Sequence, residues 1–297
     1  MEIIDYKDGY TGKIALALGF FDSVHAGHRQ IIAATARAAK ETGGKLAVFT
    51  FCNDPFGELG GDAGLIYGFD TRVCILCELG VEVLVFTRFD RVFMNTTPAG
   101  FTDTLFSSFD VGAAVTGEDY RYGVSGTGDA ASLRTECCKR GIKSIVLPDV
   151  SSGGARISST RIRGLLAAGR VEEAAALLGA PYRIYGTVVK GRGVGAKELF
   201  PTANIEPEIK PLLRDGVYAG MAYADNHQYN TVINIGARPT FAVGQTAFEA
   251  HLIGYQGDLY GKELRLDVKN RIRDIKKFDS AAELKNQIEE DIKVCGM

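Results

Sequence analysis

Short apolar runs alternate with helix-like stretches through the first half of the chain. Runs at Ile14–Leu18, Lys45–Phe51, Val81–Phe86, Val111–Thr116 and Lys143–Leu147 read as strands. They are continuous rather than alternating, as strands buried on both faces are. Between them, His28–Glu41, Thr71–Leu79, Pro98–Phe109 and Asp129–Arg140 carry helical spacing. This order predicts an α/β domain with a Rossmann-like parallel sheet and helices on both faces. Ligands of such sheets bind at the carboxyl ends of the strands. Two further helices are expected at Ser159–Ala168 and Val171–Leu178, and Leu178-Gly179-Ala180-Pro181 stops the pattern. The character then changes. Arg183–Val189, Val217–Ala224, Tyr229–Ile235, Phe248–Ile253 and Leu264–Val268 are short strand-like pieces separated by turn residues. They predict an antiparallel barrel or sandwich. A closing amphipathic helix is expected at Ala281–Val294, and the domains are read as 1–182 and 183–297.

Bulk properties narrow the partners. The 297 residues suit two domains, and 46% hydrophobic with 24% charged residues is ordinary for a folded protein. A net charge of −2 argues against a general nucleic-acid binder. The apolar runs are too short to span a bilayer, and the acidic start Met1-Glu2-Ile3-Ile4-Asp5 is unlike a secretory signal. A cytoplasmic protein with reduced cysteines is therefore expected, with small-molecule rather than nucleic-acid or membrane partners. Cys74 and Cys77 form a C-x-x-C with no second pair, and are read as buried structural residues.

Candidate chemistry gathers at four places. His25-Ala26-Gly27-His28 follows the first predicted strand and opens a helix, where backbone N–H groups attract anions. Two imidazoles beside such a turn can donate to phosphate oxygens. Gly19 lets backbone approach a ligand, and Asp22 could order the loop or a metal-bound water. Ile157-Ser158-Ser159-Thr160-Arg161-Ile162-Arg163 puts hydroxyls at a helix start and Arg163 one turn on from Thr160, suiting a departing pyrophosphate. Gly117-Glu118-Asp119-Tyr120-Arg121-Tyr122-Gly123 follows the fourth strand with a carboxylate, a cation and two rings. In the second half, Gly191, Gly193 and Gly195 free backbone N–H groups to wrap phosphates. Thr202 and Asn204, in Phe200-Pro201-Thr202-Ala203-Asn204, offer hard oxygen ligands suited to Mg²⁺.

The stretch Gly19 to His28 with Ile157 to Arg163 resembles the nucleotidyltransferase signature of the adenylyltransferase superfamily. Taken with the Gly117–Gly123 loop and the glycine-rich turn before Pro201-Thr202-Ala203-Asn204, the chain resembles the bacterial bifunctional riboflavin kinase/FAD synthetase family. Asn234-Ile235-Gly236, Phe248-Glu249-Ala250-His251 and Ile272-Arg273-Asp274 follow in the order of its kinase module. The resemblance implies a nucleotidyltransferase sheet, a riboflavin kinase barrel, and ATP, riboflavin and FMN as substrates, with Mg²⁺ serving both steps. It makes His25, His28, Ser159, Thr160 and Arg163 the adenylyl-transfer residues, with Gly19, Phe20, Asp22, Gly117, Asp119 and Arg121 around nucleotide and flavin. It makes Glu249 the general base for the riboflavin 5′-hydroxyl and gives Arg273 a part in binding. The family usually has Asn at Phe20, Gly at Ser23, the His of a Pro-His-Pro near Asp54, and different residues at Val194 and Leu199. A chain retaining only the kinase activity, a flavin-binding protein without turnover, and an adenylyltransferase for another phosphorylated metabolite are the alternative readings.

Overall fold

The computed structural model describes residues 1–61, 64–190, 202–237 and 246–295. It contains two compact units, Met1–Leu65 with Arg72–Ser159, and Ile66–Thr71 with Thr160–Met297.

The first unit is built on six parallel strands, β1 (Glu2–Asp5), β2 (Tyr10–Leu18), β3 (Lys45–Phe51), β4 (Val83–Thr87), β5 (Phe109–Gly117) and β8 (Lys143–Leu147), in the order β1-β4-β3-β2-β5-β8. The order steps outward in both directions from β2 and β3, so β2 lies inside the sheet with its residues Ile14 to Leu18 at 0–1% exposure. Ile14, Leu16 and Leu18 face a core shared with Phe101 and Leu105 of α5 (Pro98–Ser108) and Leu133 and Cys137 of α6 (Ala130–Lys139). The intervening Ala15 and Ala17 point to the opposite face, and small side chains there leave room for α1 (Ala26–Thr42), which packs along β2, β3 and β5. Gly43 ends α1 in the left-handed region at φ 70°, donating its N–H to the Ala39 carbonyl.

All five strands read from the apolar runs are present, with β1 as an additional short edge strand. The remaining elements of this half are short: α2 (Pro55–Glu58), α4 (Arg91–Met94), and the two-residue strand pairs β6 (Arg121–Tyr122) with β7 (Gly128–Asp129) and β9 (Ser151–Ser152) with β10 (Ala155–Arg156). Helix α3 (Phe69–Glu78) replaces the expected Thr71–Leu79. On it Cys77 is exposed and Cys74 half-buried, so the pair is not buried as expected. The helix turns Cys77 outward and leaves the buried positions to Thr71, Arg72, Ile75 and Leu76.

Helices α7 (Ser159–Ala167) and α8 (Val171–Leu178) follow, and Gly179 at φ 74° stops the second. The second unit is a closed antiparallel barrel, which decides between the barrel and sandwich readings. Its order is β11 (Tyr182–Val189), β12 (Ala203–Pro207), β15 (Thr246–Leu252), β14 (His227–Ala237), β13 (Gly216–Ala224) and β16 (Glu263–Arg273). Helix α9 (Ala281–Cys295) packs against β13 and β14. Strand β12 begins within the Phe200–Asn204 stretch, which the sequence offers as a Mg²⁺-ligand motif and not as a strand. Its alternation shows in the structure: Ala203 and Ile205 are buried while Asn204 is half-buried and Glu206 exposed.

Residues 66–71 pack with this barrel unit although they precede it by about ninety positions in the chain. Tyr67 stacks on Tyr182 at 5.6 Å, and the Tyr182 hydroxyl donates to the Ile66 carbonyl at 3.3 Å. The Glu208 carboxylate accepts from the backbone N–H groups of Asp70 (2.8 Å) and Thr71 (3.0 Å) and from the Thr71 hydroxyl (2.6 Å). Glu208 thus satisfies backbone donors at the start of α3 that have no carbonyl partner within the helix.

Candidate functional sites

The turn between β2 and α1 is compressed. Phe21 (φ 52°) and Val24 (φ 42°) are both left-handed, an unfavourable state for bulky side chains that surrounding structure must enforce. Both are fully buried, and they bracket Asp22 and Ser23, each 1% exposed. A Cβ at Gly19 would stand 3.0 Å from the Phe21 ring, so this glycine makes room for that ring.

His25 is the N-cap of α1. Its Nδ1 accepts the His28 backbone N–H at 3.1 Å. That bond leaves the proton of the neutral ring on Nε2, which is therefore a donor. The two imidazoles stack with centroids 3.7 Å apart, and the Phe21 ring lies 5.0 Å from His28. Burial lowers His25 to about 4, with Asp119 opposing that shift and Arg156 adding to it. Burial, reinforced by His25, holds His28 well below the usual imidazole range. Both rings are neutral near pH 7. The His28 Nδ1 is buried and has no hydrogen-bond partner among the described residues. Such a group costs free energy until something pairs with it.

The second motif meets this turn at its first residue. Ser159 opens α7, and its hydroxyl lies 3.0 Å from that of Ser23. Thr160 and Arg163 follow on the same helix, exposed and half-buried respectively. The hairpin before α7 carries Arg156, whose guanidinium pairs with Asp119 and, at 2.8 Å, with Asp149. The Glu118 carboxylate accepts the Asp149 N–H at 3.0 Å. The Gly117–Gly123 loop is thereby tied to the β9–β10 hairpin. Within the loop Arg121 is exposed and pairs with Asp129 at 3.4 Å. Tyr122 turns into the core at 7% exposure, with Tyr120 stacked on it at 5.7 Å.

In the barrel, one rung collects the polar candidates. Asn204 is the register partner of Glu249, Glu249 of Asn234, Asn234 of Val217, and Val217 of Arg273. Neighbours across an antiparallel ladder share a face. The half-buried Glu249 is therefore flanked by two amide side chains on the same face of the barrel wall, while Phe248 and Ala250 on either side of it in the chain are buried. His251, two residues along, shares that face and is half-buried. Thr202 stands two residues before Asn204 and is exposed. Arg273 is committed elsewhere: Nε and Nη2 reach the Asp291 carboxylate on α9 at 2.9 and 2.6 Å, and Nη1 donates to the Asp274 carbonyl. Gly191, Gly193, Gly195, Val194 and Leu199 lie outside the described residues. Among the described residues no group of three or more His, Cys, Asp or Glu side chains forms a metal cluster.

Asn234 is not singled out by the sequence as a neighbour of Glu249. Asn234 sits in a quoted motif, but its place beside Glu249 depends on strand register. Arg72 carries no local signal, since one arginine in a helical pattern reads as a solvated residue.

A parallel sheet with an imidazole-capped turn at its first inner strand, joined to a closed barrel bearing an amide–carboxylate–amide rung, defines a two-domain nucleotide-using transferase. Residues 8–161 match the family model for FAD synthetase, and residues 178–296 match that for riboflavin kinase. The bifunctional riboflavin kinase/FMN adenylyltransferase of Bacillus subtilis (strain 168) is 35% identical over 286 residues, covering 94% of this chain and 90% of that protein. The protein of the same name from Escherichia coli (strain K12) is 32% identical over 282 residues, covering 93% and 90%. A solved structure from Streptococcus pneumoniae, described as a macrolide-efflux protein, superposes with a TM-score of 0.88 at 30% identity and covers 99% of each chain. Among the described residues here, no helix is long and apolar enough to cross a membrane. The chain belongs to the bifunctional riboflavin kinase/FMN adenylyltransferase family. It is a transferase with an FAD synthetase domain and a riboflavin kinase domain, and ATP, riboflavin and FMN are the substrates that follow from that family.

Proposed function

We propose that the two halves act in sequence, with residues 183–297 converting riboflavin to FMN and residues 1–182 converting FMN to FAD. The family matches at 8–161 and 178–296 support a functional junction near residue 182. In the first step the riboflavin 5′-oxygen attacks the γ-phosphorus of ATP, ADP leaves, and Glu249 takes the hydroxyl proton. The carboxylate has amide neighbours on both sides, which orient it without neutralising it. In the second step an oxygen of the FMN phosphate attacks the α-phosphorus of ATP, and pyrophosphate leaves. The attacking group is already an anion, so the domain supplies positioning and charge stabilisation rather than a base.

The imidazole cap carries this reading. Because His25 accepts through Nδ1, its Nε2–H is fixed as a donor for a phosphate oxygen. His28, neutral and with its Nδ1 buried, gains a partner when the triphosphate arrives. The anion's charge favours protonation of His28, whose Nδ1 is free of the cap bond that His25 accepts, and this strengthens its hold as negative charge grows on the leaving group. Ser159, Thr160 and Arg163 receive the departing pyrophosphate. Gly19, Phe20, Asp22, Gly117, Asp119 and Arg121 surround nucleotide and flavin, and Asp119 and Arg121 exchange their present ion pairs for ligand contacts. Gly191, Gly193 and Gly195 wrap the kinase phosphates. Arg273 serves the kinase site by holding α9 against the barrel through Asp291.

The donor set in the barrel fits Mg²⁺. Thr202 and Asn204 offer neutral oxygens, and a hard dication takes such ligands together with phosphate oxygens and water. When bound, the ion neutralises phosphate charge in transfer. A cytoplasmic enzyme is consistent with an ATP-consuming chain whose six cysteines form no disulfide.

Chromatography of riboflavin, ATP and Mg²⁺ incubated with the purified chain tests the reading. FMN appearing first and FAD following is the expected result. FMN accumulating without FAD leaves the kinase alone, and no ADP release reduces the chain to a flavin binder.

A further inference from the structure

We propose that Arg72 is a positioning residue for adenylyl transfer, setting the geometry of the β2–α1 loop from the carboxyl ends of β2 and β3. The inference rests on the adenylyl-transfer reading given above. Arg72 is 0% exposed and is the largest fully buried side chain among the described residues. Its Nη1 donates to the Phe20 carbonyl at 3.2 Å and to the Thr50 hydroxyl at 2.9 Å, and its Nη2 donates to the Phe51 carbonyl at 2.8 Å. The Thr50 hydroxyl also donates to the Phe20 carbonyl, at 2.5 Å. The Phe20 ring covers the guanidinium carbon at 5.2 Å.

These acceptors are not scattered through the core. Thr50 and Phe51 end β3, and Phe20 is two residues beyond β2. The carboxyl ends of two adjacent strands are thus joined through one guanidinium. Phe20 directly precedes the left-handed Phe21, where the chain turns toward His25. Contacts that hold the loop include those of Phe20 with Arg72, Ser23 with Ser159, and His25 with the His28 N–H. Moving the Phe20 carbonyl tilts the whole segment that presents His25.

A buried guanidinium is a poor device for stability alone. Its desolvation is costly, and apolar replacements of similar volume are often as stable. What it supplies is a planar fork reaching several oxygens in fixed directions, which an ammonium does not reproduce. Fixing strand ends to a loop is a use that matches this property.

The test is steady-state kinetics of both reactions in the full chain carrying Arg72→Lys. The KM for ATP in FAD formation is expected to rise about tenfold, while the KM for ATP in FMN formation stays at the wild-type value. Loss of folded chains lowers the apparent kcat and leaves KM untouched, so the KM separates positioning from a purely structural role. An unchanged KM for ATP in FAD formation overturns the proposal, whatever happens to kcat. Should Arg72→Lys fail to fold, Thr50→Val removes one acceptor at nearly constant volume and is expected to raise the same KM about threefold; no rise there overturns it equally. Wild-type chain that makes no FAD would instead refute the adenylyl-transfer reading itself.

Discussion

The hydroxyls of Ser23 and Ser159 stand 3.0 Å apart, 136 positions from one another in the chain. One lies in the strained turn after β2 and the other opens α7. This bond joins the two halves of the nucleotidyltransferase signature inside one compact unit. A glycine at position 23, the usual family residue, has no side chain with which to make it.

Ser23→Gly therefore removes a cross-link that this chain has and its relatives usually lack. A buried neutral hydrogen bond contributes about 1 kcal/mol. The variant is expected to melt a few degrees lower, since about 1 kcal/mol shifts the melting point of a 150-residue domain by roughly 2–4 °C. FAD formation is expected to change less than fivefold, and FMN formation not at all. A thermal melt and paired product assays check this. A loss of FAD formation beyond a hundredfold would mean that Ser23 does more than tether Ser159.

The division of labour is tested by two substitutions. His28→Ala removes a ring stacked on His25 and is expected to abolish FAD formation with FMN formation intact. Glu249→Ala removes the proposed proton acceptor and is expected to lower FMN formation by about 10²- to 10⁴-fold, the usual range for a general base. FAD formation from added FMN should persist. Either variant losing both activities while folded would contradict separate sites.

The buried histidines set an acid limit on the first unit. His25 titrates at about 4 when folded and at 6.5 when exposed in the unfolded chain. Above 6.5 it is neutral in both states. As pH falls through the interval, the unfolded chain binds a proton that the folded chain does not. Stability is therefore lost between those values, by on the order of 3 kcal/mol once pH 4 is reached. His28 is shifted in the same direction and adds to the loss. Melts from pH 7.5 to 4.5 should show a steep decline, and His25→Gln should flatten it. A pH-independent melt over that range would contradict neutral buried imidazoles.

Asp291 is 2% exposed and takes two donors from Arg273. Breaking a buried pair from one side costs roughly 3–5 kcal/mol, because a charge is left without its partner. Asp291→Ala is thus expected to loosen α9, seen as faster proteolysis near residues 275–295, and to raise the KM for riboflavin. Arg273→Met with Asp291→Leu should regain much of the lost stability. Failure of the double variant to exceed the single one would show that the ion pair itself, and not the stranded charge, carries the effect.

Much of the site was legible because its chemistry is local. His25 and His28 stand three apart at a strand–helix junction, and a helix start announces itself through its own neighbours. Asn204 and Glu249 were read singly, and their pairing was not, because which strand lies beside β12 is decided by barrel closure. Arg273 shows the same limit. Its charge is plain in the chain, but its partner lies eighteen residues on and is chosen by where α9 packs.

The chain alone determined that a parallel α/β half precedes an antiparallel half, that helices begin near His28 and end at Gly179, and that the His25–His28 and Gly117–Gly123 motifs stand after strand ends. Those features follow from periodicity, capping and backbone preference, which act over a few residues. Tertiary structure alone decided that Cys77 faces outward, that residues 66–71 join the barrel unit, that Arg72 braces Phe20, and that the histidines are neutral. Each of these depends on burial or on a partner distant in sequence, and desolvation and register arise only when the whole chain has packed.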